Sequence, residues 1–112
     1  MTAAPAQQVG GTHRVRVALP QQLRVLAGIV REAHVEVAGT VTLGGTIDAL
    51  ERTHPELFGT VRDPGTGRRR AMIRIFADGE DLSDAPPETV LPAAIAAGRE
   101  PLRLVAAIAG GA

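Results

Sequence analysis

The side chains able to do chemistry are few and scattered. Three histidines, His13, His34 and His54, form no i,i+4 pair and stand in no acidic ligand pattern. A metal site needs such spacing, so isolated strand-end or surface residues are expected. Asp78, Glu80, Asp81 and Asp84 crowd one stretch but lack the EF-hand spacing and its closing Glu, which leaves a solvated acidic loop. Ser83 is the sole serine, and no G-x-S-x-G surrounds it. Gly44-Gly45 could open a helix onto a phosphate, but a glycine pair without a lysine is a weak cradle. Intrinsic catalysis is therefore not expected, and no residue is assigned a catalytic or metal-binding role. Two features remain. Arg68-Arg69-Arg70 is the densest positive run, expected as a solvated loop tip, with docking to an acidic partner as the alternative. Ala109-Gly110-Gly111 makes a narrow end without bulky side chains, which is either a loose terminus or a tail able to enter a tight channel.

Composition narrows the classes further. The 112 residues are one domain's worth, 45% apolar but only 2% aromatic, so the core must be built from Val, Ile, Leu and Ala. Twelve acidic residues balance twelve basic ones, which removes the electrostatic case for a nucleic-acid partner. All twelve basic residues are arginine, so no Schiff-base or P-loop lysine exists, nor any lysine for isopeptide chains on the protein itself. Absent cysteine excludes disulfides and thiolate chemistry. The first twelve residues lack the basic and apolar regions of a secretory signal, and no apolar run reaches membrane-spanning length. A cytoplasmic protein without membrane association is expected.

The elements follow from periodicity. Residues 1–12 show none and read as a disordered tail; residues 13–108 read as the domain and 109–112 as a flexible end. Residues 13–19 alternate, with Val15, Val17 and Leu19 on one side and Arg14 and Arg16 on the other, as a half-buried strand does. Pro20 ends it, and Leu23 and Leu26 are expected to tuck a loop or short turn against the core. Residues 34–38 alternate again, with Val35 and Val37 inward, completing a hairpin with a long connection. Leu43, Ile47 and Leu50 then take helical spacing, with Thr42 as the N-cap and Pro55 limiting the far end. Gly44 and Gly45 should weaken the first turn. Leu57, Phe58 and Val61 are expected to extend the apolar contact. Residues 62–70 are rich in turn formers. Residues 72–77 form a third strand, and Asp78-Gly79 is the strongest hairpin signal, leading to a short return strand at 80–82. Residues 83–88 read as a loop, 89–97 stay ambiguous because of Pro92, and 102–108 form a last strand. This order predicts an α+β domain, the ubiquitin-like β-grasp: a mixed four- to five-stranded sheet with one main helix packed on one face.

With those elements placed, the chain resembles the MoaD/ThiS family of ubiquitin-like sulfur carriers, which includes the small subunit of molybdopterin synthase. The resemblance rests on the first strand at 15–19, the Leu-containing loop at 23–28 and the Thr-capped helix at 42–57. It rests also on the hairpin Ile75-Phe76-Ala77-Asp78-Gly79-Glu80-Asp81-Leu82 and on the strand closing in diglycine at 104–111. Gly98-Arg99-Glu100 stands where members often carry Gly-Asp-Glu, and Ala112 follows the diglycine. The family resemblance implies that Gly111 becomes a thiocarboxylate, carried on a threading tail of Ala109, Gly110 and Gly111. It implies an E1-like adenylating and sulfurtransferase partner that uses ATP, and an enzyme that accepts the sulfur to make a cofactor, amino acid or natural product. No cofactor would be bound by the carrier itself. Some relatives are trimmed by a metalloprotease, which here would cut between Gly111 and Ala112. A β-grasp interaction module that never carries sulfur and a ubiquitin-like conjugating modifier are the alternatives.

Strand alternation also predicts where partners dock. With Val15, Val17, Ile73 and Ile75 under the helix, Arg14, Arg16, Met72, Arg74 and Phe76 are left on the open face. Arg103 and Val105 should join them from the last strand, beside the tail. An apolar centre with a positive border is a common anatomy for a partner site.

Overall fold

Valines at every second position build the centre of the sheet. The structure, a computed structural model, describes residues 11–107. β1 (Thr12–Ala18) opens at Thr12, one residue inside the expected tail, and pairs antiparallel with β2 (Glu32–Ala38). Val15, Val17, Val35 and Val37 point inward from this pair and are buried, as their spacing predicts. Between the two strands the chain forms a helix, α1 (Gln21–Ala27), where a loop was expected. Pro20 starts it, with its carbonyl accepting from the Leu23 and Arg24 amides, and Gly28 ends it at φ 70°. Seven residues are too few for a helix to show a clear apolar period. Leu23 packs on the core, whereas Leu26 is half exposed.

α2 (Leu43–Thr53) covers the inner face, mainly against β2, and buries Leu43, Thr46, Ile47, Ala49 and Leu50. The Thr42 hydroxyl accepts from the Gly45 amide at 3.0 Å, so the cap is the expected one. A 3₁₀ turn at Pro55–Leu57 follows. Leu57 and Val61 are fully buried, but Phe58 is 61% exposed and contributes nothing to the core. Neither phenylalanine belongs to the buried cluster, which is aliphatic throughout.

β3 (Ile73–Ala77) turns through Asp78 and Gly79, both at positive φ, into the two-residue β4 (Glu80–Asp81). That is the turn an Asp-Gly pair favours. A four-residue helix, α3 (Ala93–Ala96), starts after Pro92 and buries Ile95; β5 (Leu102–Ala106) closes the sheet. The strand order is β2-β1-β5-β3-β4, with β5 parallel to β1 and antiparallel to β3. A mixed sheet with the last strand inserted beside the first, and one main helix across it, is the ubiquitin-like β-grasp. No helix among the described residues is long and apolar enough to cross a membrane.

Two local expectations change with the tertiary contacts. The glycines that open α2 are there for space. A Cβ on Gly44 would lie 2.8 Å from the Pro87 side chain and 3.0 Å from its carbonyl oxygen, the same oxygen that accepts from the Gly44 amide at 2.7 Å. Gly44→Ala is therefore expected to lower stability by about 1–3 kcal/mol, because overpacking outweighs the gain of roughly 1 kcal/mol in helix propensity. Urea denaturation at fixed pH checks it; a stabilised variant would mean that the 83–88 loop moves aside freely.

The second change concerns the arginine run. Arg68 is exposed, but Arg69 is folded onto the backbone. Its Nε donates to the Ser83 carbonyl at 2.7 Å, and one Nη donates to the Arg70 and Ile73 carbonyls at 2.9 and 2.7 Å. β4 is too short to cover the edge of β3, and this guanidinium supplies the missing donors below it. Arg70 in turn donates to the Gly59 carbonyl at 3.0 Å. Arg68 and Arg70 are exposed as expected of a solvated loop tip, and Arg69 is the one that departs from it.

Candidate functional site

The open side of the sheet gathers the residues expected to meet a partner. Across β5 and β3 the register pairs Arg103 with Phe76 and Val105 with Arg74, so these four share one face. β1 lies on the other side of β5, with Ala18 beside Arg103, which puts Arg16 and Arg14 on that face too. Met72 stands just before β3, about half exposed, and Val105 is 44% exposed. Phe76 is half-buried between Arg103 and Asp81, its neighbours in register on the two sides.

The arginines of this face are not equivalent. Arg16 holds Glu32 through two hydrogen bonds, at 2.8 and 3.0 Å, and donates to the Gly98 and Arg99 carbonyls at 3.1 Å each. It ties the β1–β2 hairpin to the segment before β5. The Glu32 carboxyl is held below its ordinary range by the Arg16 hydrogen bond, against the opposing effect of burial. Arg74 pairs with Asp81 at 2.7 Å. The Ser83 hydroxyl and amide, then Arg74, keep the Asp81 carboxyl at about 2. Arg14 and Arg103 are exposed and carry the remaining positive border.

Residues outside this expectation complete the site. Glu36 stands opposite Arg14 and His34 opposite Arg16 on the same face. Both were legible as outward residues of their strand; their pairing depends on the hairpin register. Ser83 is buried, and its oxygen accepts from the Ile75 amide at 2.9 Å, continuing the short β4 pairing by a side chain. Among the described residues no three His, Asp or Glu side chains cluster as a metal site would require.

Beside this face the chain leaves the sheet. The Ala107 amide donates to the Met72 carbonyl at 2.6 Å, so the last described residue lies against the exposed Met72. Ala109, Gly110, Gly111 and Ala112, the expected tail and cleavage point, lie outside the described residues. The arrangement offers a partner an apolar and cationic platform beside the end of β5.

Solved structures with this architecture are small proteins of the same size. SAMP1 from Haloferax volcanii is 30% identical, covering 90% of this chain and 100% of that one, with a TM-score of 0.68. CysO of Mycobacterium tuberculosis is 24% identical over 84% of this chain and 99% of that one, with a TM-score of 0.64. A chain of the Amycolatopsis orientalis BexX/CysO complex is 21% identical over 87% and 99%, with a TM-score of 0.67. The last two are likenesses of fold. Neither the family models nor the curated protein sequences give a match.

Proposed function

This chain belongs to the MoaD/ThiS family of small ubiquitin-like proteins, and on that premise we propose that it carries sulfur on the carboxyl end of Gly111. A carboxylate is a poor electrophile. An E1-like partner would let it attack the α-phosphorus of ATP, releasing pyrophosphate and leaving an acyl adenylate. A sulfide equivalent then adds at the acyl carbon, AMP departs, and a thiocarboxylate remains. At neutral pH that group is an anionic nucleophile: its sulfur attacks an activated carbon of a biosynthetic enzyme's substrate and displaces that carbon's leaving group. Water then cleaves the acyl–sulfur bond, leaving sulfur on the substrate and the carboxylate on the carrier. The carrier supplies a handle and a tail; the reacting groups other than its terminus belong to the partners.

The observation that supports this reading is the base of the tail. Ala107 hangs from Met72 at the margin of the open face, so an enzyme docked on that face receives the departing chain at a fixed place. Removal of Ala112, which a metalloprotease could perform, would leave Gly111 as the terminus.

A second reading has support of its own. The Haloferax volcanii relative is named a small archaeal modifier protein, and an activated glycine could equally be joined to a partner's lysine. Mass spectrometry of the protein isolated from its host separates the cases. A chain ending at Gly111 with sulfur in place of one oxygen supports the carrier. An isopeptide-linked adduct supports the modifier, and an intact Ala112 in the whole population supports an interaction module.

Phe76 tests the docking face. Phe76→Ala should weaken binding to the activating enzyme by about 1–3 kcal/mol, the range for an interface anchor. Calorimetric titration reads the affinity, and circular dichroism shows whether the variant is folded. A folded variant with unaltered affinity would place the docking surface elsewhere.

A further inference from the structure

Seven large apolar side chains stand exposed among the described residues, and six of them lie at one end of the molecule. The six are Val25, Leu26, Val30, Phe58, Met72 and Val105, between 44% and 82% exposed. Topology brings them together. Ala18 at the end of β1 faces Glu32 at the start of β2, so α1 and Val30, which connect the two strands, sit at that end. β5 runs parallel to β1 with Arg103 beside Ala18, so Val105 and Ala107 continue past the end of β1 in the same direction. Ile73 faces Ala106 antiparallel, which places Met72 there as well. Phe58 closes the 3₁₀ turn that packs against α1, and neighbouring Gly59 is tied to Arg70, just before Met72. The seventh, Val90, bridges to Thr42 beyond the opposite end of β2.

α1 is the clearest part of this surface. It carries Leu23, Val25, Leu26 and Ala27 in seven residues, yet none of its residues is fully buried. Scattered exposed apolar residues need no explanation, but six gathered where the chain leaves the sheet do.

We infer that these residues form an apolar collar around the exit of the tail, and that its occupant is the apolar, carboxylate-flanked rim of the protein channel that the tail enters. The inference rests on the carrier reading and adds to it a second contact surface, on α1 and Phe58, apart from the open face of the sheet. Residues 108–112 offer little apolar surface to cover it, since only Ile108 among them has an apolar side chain larger than a methyl group. A second copy of the chain is disfavoured by charge. Arg24 and Arg31 stand on the same segments, against Glu56 and a Glu32 already held by Arg16, while Arg70 is paired with Asp63 at 3.7 Å. A twofold contact would set one arginine border against the other, whereas a rim bearing carboxylates would pair with it.

The test uses a chain ended at Gly111 and the E1-like adenylating enzyme of the same organism, read by ATP–pyrophosphate exchange as carrier concentration is varied. The double variant Val25→Gln with Phe58→Gln is expected to need at least about tenfold more carrier for half-saturation and to reach the wild-type rate at saturation. Val90→Gln should match the wild type. Both altered side chains are exposed, so melting by circular dichroism should be unchanged; if the double variant melts early, Val30→Gln alone carries the same comparison. Half-saturation at the wild-type concentration would overturn the collar while the carrier reading stands. A wild-type chain that drives no exchange would remove the carrier reading and the collar with it. Sedimentation showing a wild-type dimer that the double variant dissociates would assign the surface to a second copy instead. Flotation with phosphatidylglycerol vesicles that the double variant loses would assign it to a membrane surface; either result sinks the inference.

Discussion

Gly111→Ala is expected to leave the fold untouched and to reduce adenylation by about 100-fold or more, the scale on which a small misplacement of a reacting group acts. The buried cluster that holds the fold is built from residues 15–104, so the variant leaves it unchanged in composition. A channel that admits a glycine pair can close on the backbone from all sides, and a methyl group there displaces the carboxylate from the nucleotide. Glycine also reaches backbone conformations that alanine does not. The measurement is ATP–pyrophosphate exchange with the activating enzyme, alongside thermal melts of both chains. Exchange at the wild-type rate would remove the tail from the mechanism.

The second large effect concerns Ala112. A chain ended at Gly111 should be adenylated, and the same chain with Ala112 retained should not. One added residue moves the terminal carboxylate by ~3.8 Å, while the reacting atoms must approach to about 3–3.5 Å for attack. The extra residue therefore places the carboxylate out of reach and puts an unreactive amide at the acyl position. Single-turnover thiolation of the two chains compares them directly. Equal rates would show that trimming is unnecessary.

These predictions rest on features of very different legibility. The inward valines of β1 and β2, the Thr42 cap, the Asp78-Gly79 turn and the helix stop before Pro55 were all readable along the chain. The open face was readable too, since alternation assigns Met72, Arg74 and Phe76 to one side once Ile73 and Ile75 are known to be the other. Each of these depends on a period or on turn chemistry within a few residues, which no later packing alters.

Other features had no local signal. Arg68, Arg69 and Arg70 are chemically identical, yet only Arg69 meets the bare edge of β3, because only that position faces the carbonyls of Ser83 and Ile73. Gly44 reads as a helix weakness until Pro87 is brought against it from more than forty residues away. The collar could not be found by periodicity either. Its members come from α1, the turn after α2, the start of β3 and the end of β5; alternation turns Met72 and Val105 outward, but Leu26 and Phe58 look like core residues in their own segments. Sequence by itself determined the strands, the main helix, the faces and the glycine end, because those follow from short-range geometry. The tertiary structure alone decided which apolar residues stay exposed and which guanidinium plugs an edge. Those outcomes depend on what distant segment arrives, and a parallel β1–β5 pairing is what brings the end of β5 to the side where α1 lies.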